Sequence, residues 1–151
     1  MLRAALVAVV AVSALAFARG ALSYPTAPVL QPIPSTVTAA TPTYPIAWAP
    51  ATFDLTETYP FVKPLNYYRI DIDFYRAPAP DPVSHLQRSQ LGTTYAVPLY
   101  PGYRYVVRVR AVQEGWCDWL GTWFQCVSPQ YGGAAGDVFD VVPMPSVDVG
   151  H

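Results

Sequence analysis

Between Leu99 and Val112 the chain reads L-Y-P-G-Y-R-Y-V-V-R-V-R-A-V. Pro101-Gly102 is a turn pair, Pro setting φ and Gly free to take a positive one. After it, Tyr105, Val107, Val109 and Ala111 fall on one side of a strand, and Arg104, Arg108 and Arg110 on the other. A strand dry on one face and charged on the other belongs to an antiparallel sheet packed on one side. The pattern predicts an all-β antiparallel β-sandwich. Other stretches read the same way. Thr43 to Trp48 places Ile46 and Trp48 inward, and Asn66 to Tyr75 places Tyr68, Ile70, Ile72 and Phe74 inward. Ser84–Leu91 is a short edge candidate, and Thr93–Leu99, Tyr103–Gln113 and Asp137–Val142 complete the set. Upstream, an extended start over Pro25–Pro34 leads into a pairing strand over Ser35–Ala40. Arg76-Ala-Pro-Ala-Pro-Asp-Pro82 cannot be a central strand, because each Pro removes a ladder donor, and it reads as a stiff loop.

The motif Leu99-x-Pro101-Gly102-x-x-Tyr105-x-Val107-x-Val109-x-Ala111-Val112 resembles the corner and following strand of fibronectin type III domains. Trp48 stands where that family has its core tryptophan, and Tyr67–Phe74 is similar to its C strand. The resemblance covers roughly Pro25 to Pro143. It implies a fibronectin type III-like, immunoglobulin-like sandwich in which the Tyr105 hydroxyl bonds back to upstream backbone. It implies a fold and not an activity.

Met1 to Ala18 reads as a secretory signal peptide, with Arg3, an apolar run from Ala4 to Val12, and small-x-small cleavage signals at Ala14–Ala16 and Ala16–Ala18. The run is short for a bilayer span, although an uncleaved anchor is the alternative. Residues 19–34 form a Pro/Thr/Ala-rich segment, 35–143 the sandwich domain, and 144–151 a short tail. A net charge of −1 gives no electrostatic case for nucleic acid. Cys117 and Cys126 are the two cysteines, and behind a leader an even count reads as one disulfide. Without a nearby His or carboxylate cluster they do not make a metal shell, and no cofactor is expected.

The stretch Gly115 to Ser128 holds three of the four tryptophans. With Gly121-Thr122 as a two-residue type II′ turn, Leu120 faces Trp123, Trp119 faces Phe124, and Cys117 lies directly across from Cys126. This predicts a protruding hairpin stapled at its base. Cys117, Trp119, Phe124 and Cys126 share one side; Trp116, Leu120, Trp123 and Val127 share the other, with Asp118 and Gln125. A small sandwich cannot bury both sides, so some tryptophan is exposed unless the hairpin folds back as a lid. Trp116, Trp119, Trp123 and Phe124 are the candidate binding residues, as rigid anchors for a protein partner or stacking platforms for a glycan. Trp116-x-x-Trp119 also resembles a C-mannosylation acceptor.

Arg69, Asp71 and Asp73 on one strand and Arg104, Arg108 and Arg110 on its neighbour are expected to form cross-strand pairs; the functional alternative is a charged docking face. Asp71-x-Asp73 lacks the further oxygens that calcium needs. The two histidines, His85 and His151, sit in no nucleophile or metal motif, which argues against an enzyme. The expectation is a secreted or cell-surface non-catalytic binding or adhesion domain whose partner is an extracellular protein or glycan. Membrane contact is not favoured, and homo- or hetero-oligomers stay open. A structural subunit of an extracellular assembly and a carbohydrate-binding module are the alternatives.

Overall fold

The structure, a computed structural model, describes residues 24–54 and 62–146. The expected leader (1–18) and residues 147–151 of the tail, with His151, lie outside the described residues. Among the described residues there are nine strands: β1 Val29–Leu30, β2 Thr36–Thr38, β3 Thr43–Ala49, β4 Val62–Tyr75, β5 Ser84–Gln90, β6 Thr94–Pro98, β7 Arg104–Trp119, β8 Thr122–Tyr131 and β9 Ala135–Val142. They form two sheets, one of order β1-β3-β6 and one of order β2-β9-β7-β4-β5, with β8 also on β7.

The inward alternation read from the sequence builds the core between the sheets. Ile46, Trp48 and Val97 come from the smaller sheet. Tyr68, Ile70, Ile72, Phe74, Tyr105, Val107, Val109, Ala111, Phe139 and Val141 come from the larger. Tyr105 is fully buried at the centre, with its ring 4.6 Å from Phe74 and 4.9 Å from Phe139, edge-on and tilted as ring quadrupoles prefer. Its hydroxyl donates to Pro98 O (2.8 Å) and accepts from Tyr100 N (2.7 Å). One side chain thus ties the turn at Pro101-Gly102 to the core, and Gly102 takes the positive φ (90°) that the turn requires.

The segment placed upstream of the sandwich is partly inside it. β1 pairs antiparallel with β3, and Ile33 joins the core. The chain then crosses to the other sheet, where β2 runs parallel to β9. β2 falls within the pairing strand expected over Ser35–Ala40, whereas the two-residue β1 is too short to show a periodicity.

β4 pairs with β7 without interruption from Tyr75↔Arg104 to Val62↔Cys117. β7 has 16 residues, which at about 3.3 Å each makes a strand of roughly 50 Å. β8 and β9 lie end to end along its other edge, β9 against Arg104–Val109 and β8 against Val112–Trp119. Beyond Tyr68 and Ala111 the inward positions become Asn66 and Gln113, polar residues that end the apolar core. Here the chain leaving β3 closes the sandwich: Ala51 N donates to Tyr68 Oη (3.0 Å) and Asp54 N to Gln113 Oε1 (3.0 Å). The three strands β4, β7 and β8 continue past this point as a ribbon.

Replacing Tyr105 with Phe leaves Pro98 O and Tyr100 N without their partner and is expected to cost about 1–3 kcal/mol in urea unfolding. Burial raises the Tyr105 pKa above its ordinary value. Its contribution to stability is therefore complete below the unfolded-state value near 10 and is lost as pH rises through the higher folded-state value. Wild-type stability should fall more steeply above pH ~10 than that of Tyr105→Phe, which lacks this ionisation.

Candidate binding surface at the end of the ribbon

The far end of the ribbon differs from the expected hairpin by a two-residue shift. The turn is Leu120-Gly121, with φ of 51° and 84°, and not Gly121-Thr122. Both central residues at positive φ mark the type I′ turn that follows strand twist, whereas a leading Gly had suggested type II′. Asp118 Oδ1 secures it by accepting from Gly121 N (2.9 Å). Trp119 consequently faces Thr122, Asp118 faces Trp123, and Cys117 faces Phe124. The cysteines are not directly opposite. Between Gly115↔Val127 and Trp116↔Gln125 the register shifts, and Cys126 is the extra residue. The bulge brings it within reach of Cys117, with a Cα–Cα distance of 5.7 Å, and the disulfide forms.

A slip of two residues preserves the faces of Trp116, Trp119, Trp123 and Phe124, whereas a slip of one would have exchanged them; Val127, expected beside Trp116, lies past the bulge opposite Gly115, on the Cys117 side. Cys117, Trp119 and Phe124 lie on the side continuous with the core face; Trp116, Asp118, Trp123 and Gln125 lie on the outer side. The tip does not fold back as a lid. Trp119 is 70% exposed, Leu120 92%, Trp123 47% and Phe124 46%. Trp116 is half-buried.

The outer side is organised around Glu114, which the sequence reading passed over. Glu114 is 7% exposed and accepts from Trp116 Nε1 (2.9 Å), Gln125 Nε2 (3.2 Å) and Tyr67 Oη (3.3 Å). Strand parity alone places Glu114 beside Trp116, so the signal was present. Burial and the Glu114 charge raise the Tyr67 pKa and keep its hydroxyl a donor. Lys63 Nζ stands 4.9 Å from the Trp123 ring centre. Trp116 and Trp123 thereby line a shallow groove with Lys63, Pro64 and Leu65. Pro64 is tolerated because β5 does not pair with β4 before Tyr68, and among the described residues no strand takes up that edge of the ribbon.

Further down the outer face, only one expected pair crosses from β4 to β7: Arg108 Nη1 to Asp73 Oδ2 at 3.4 Å. Arg69 pairs with Asp71 on its own strand (3.3 Å), and Arg104 with Asp140 on β9 (2.9 Å). His85 lies on strand β5, in the edge strand expected over Ser84–Leu91. Its ring nitrogens meet Asp73 Oδ1 at 2.7 Å and Asp71 Oδ1 at 3.4 Å. Asp71 and Asp73 are thus shared among Arg and His partners. No family model, curated protein or solved structure matches the chain.

Gly115 sits opposite the bulge where a Cβ would come within 2.7 Å of Val127 Cγ2 and 2.8 Å of Val62 Cγ1. Gly115→Ala is expected to overpack the ribbon and cost about 1–3 kcal/mol by thermal or urea unfolding. Reducing the disulfide should cost about 2–3 kcal/mol in the same assay, the loop-closure value for a short loop.

Proposed function

We propose that this chain is a secreted, non-catalytic binding domain of fibronectin type III-like architecture that engages a protein partner through the aromatic tip of its ribbon. The fold part of the reading is supported by the corner tyrosine, whose hydroxyl reaches Pro98 O, and by the β1-β3-β6 and β9-β7-β4-β5 sheet orders. Extracellular residence is supported by the disulfide behind the leader-like start.

The observation that carries the binding role is the exposure of Trp119, Leu120, Trp123 and Phe124 together on a braced ribbon. Exposed apolar patches mark interaction sites, and rigid aromatics lose little entropy on binding. The distribution of these groups favours a protein over a glycan. A sugar ring stacks on one aromatic face. Here Trp119 and Phe124 project from one side and Trp123 from the other, the shape of a wedge entering a concave partner. The carboxylate of Asp118, between them and exposed, opposes insertion into a bilayer. Trp119, which is 70% exposed, should be replaceable at small cost to the fold, and Trp123, half covered by Lys63 and the groove, at a larger one.

Trp119→Ala is expected to change stability by no more than about 0.5 kcal/mol, as exposed substitutions do, and Trp123→Ala, which gives up the contact with Lys63, by about 1 kcal/mol. Both should sharply reduce acrylamide quenching of tryptophan fluorescence. In affinity capture from secreted proteins of the producing cells, any partner retained by the wild type should be lost by Trp119→Ala, with the binding loss of at least about 2 kcal/mol typical of a central anchor. A large loss of stability without loss of a partner would overturn the reading, as would binding of glycans unaffected by either change.

A further inference from the structure

Arginines 69 and 110 are Cα partners across β4 and β7. Like charges directly opposite on neighbouring strands repel, so the pairing is unfavourable unless something neutralises it. The acceptors nearby are already committed. Asp71 serves Arg69 and His85, and Asp73 serves His85 and Arg108. Gln87, with its amide turned to satisfy both ends, gives its oxygen to Arg69. Glu114, four residues along β7 on the same face, serves Trp116, Gln125 and Tyr67. Arg110 is left over: its Nε is buried and has no hydrogen-bond partner. Three guanidinium groups thus share two aspartates, and the excess positive charge falls on Arg110. Around it lies an open depression of about 390 Å³, lined by Arg69, Arg108, Arg110, His85, Asp71 and Tyr131. The Tyr131 ring supports the Arg69 guanidinium from 5.7 Å.

The geometry points to a binding site for a tetrahedral oxyanion, a sulfate or phosphate group, held between Arg69, Arg110 and Arg108. Such an anion would meet the part of Arg110 that lines the depression, since its buried Nε is closed to it, and would neutralise the Arg69/Arg110 repulsion. Three guanidinium groups approach from three strand positions, whereas one planar carboxylate is satisfied by a single fork. With a net charge of −1 the chain carries no excess of basic residues to follow a nucleic-acid backbone, and the depression suits a single anionic group. The site stands on residues separate from the aromatic tip, so it holds or fails independently of the proposed partner surface.

The test is a titration of the full oxidised chain, labelled with ¹⁵N at arginine and observed at the side-chain Nε–Hε resonances, with sodium sulfate and then phosphate at ionic strength held by sodium chloride. Saturable shifts are expected at Arg110 and Arg69, while Arg88 and Arg76, outside the depression, follow ionic strength alone. Arg110→Gln should weaken sulfate binding at least tenfold as followed at Arg69, and should raise stability in sulfate-free buffer by removing an unpaired charge. If that variant does not fold, Arg69→Gln, followed at Arg110, carries the same expectation. A sulfated oligosaccharide that binds at least tenfold more tightly than inorganic sulfate, in competition with it, would identify an esterified group; equal affinity would identify the free ion. The proposal is overturned if Arg110 shifts no more than Arg88, or if acetate binds as tightly as sulfate.

Discussion

Antiparallel pairing of β4 with β7 is the constraint on which the rest depends. From Tyr75↔Arg104 to Val62↔Cys117 the two strands never lose register, so each residue's face is fixed by parity along the whole length. Near one end, parity sends Tyr105, Val107, Ile70 and Phe74 into the core. In the middle it lifts Arg69, Arg108 and Arg110 onto the opposite face. At the far end the same alternation divides the aromatics between the two sides of a ribbon that, among the described residues, no second sheet covers.

The ribbon keeps its shape through local means. Gly115 lets Val62 and Val127 close over it, the bulge at Cys126 brings the two sulfurs together, and Leu120-Gly121 takes positive φ to reverse the chain. Glu114 supplies the polar anchor, holding the Trp116 indole by its nitrogen. None of these contacts covers Trp119 or Leu120. A ribbon braced at its base and bare at its tip presents apolar groups that were ordered before any partner arrives, and preorganisation of that kind lowers the entropy lost on binding.

Much of this was legible in the sequence because alternation is a strong signal wherever one face is dry. The inward sets of β3, β4 and β7 follow directly from it; the bond from the Tyr105 hydroxyl back to upstream backbone was expected instead from the resemblance of the Leu99–Val112 motif to fibronectin type III domains. The sides of the aromatic residues were also readable, since the actual register differs from the expected one by two. The turn was not. Leu120 at positive φ is unfavourable for a residue with a Cβ, and the sequence pointed instead to the neighbouring Gly-led turn. A bulge adds a residue without changing composition, so the offset of Cys126 left no trace. The continuation of β4 upstream to Val62 was hidden by Pro64, which reads as a strand breaker unless one edge is known to be unpaired. The split of the upstream segment into β1 and β2 depended on long-range pairing with β3 and β9.

The central claim is that the sandwich extends as an ordered three-stranded ribbon that carries the aromatic tip. Amide hydrogen exchange on the oxidised protein tests it most directly. In an ordered ribbon the backbone amides of β7 between Val112 and Cys117 are protected to a degree comparable with Val107 and Val109 in the core. Exchange of Val112–Cys117 at the rate of an unstructured loop, with Val107 and Val109 still protected, would contradict it.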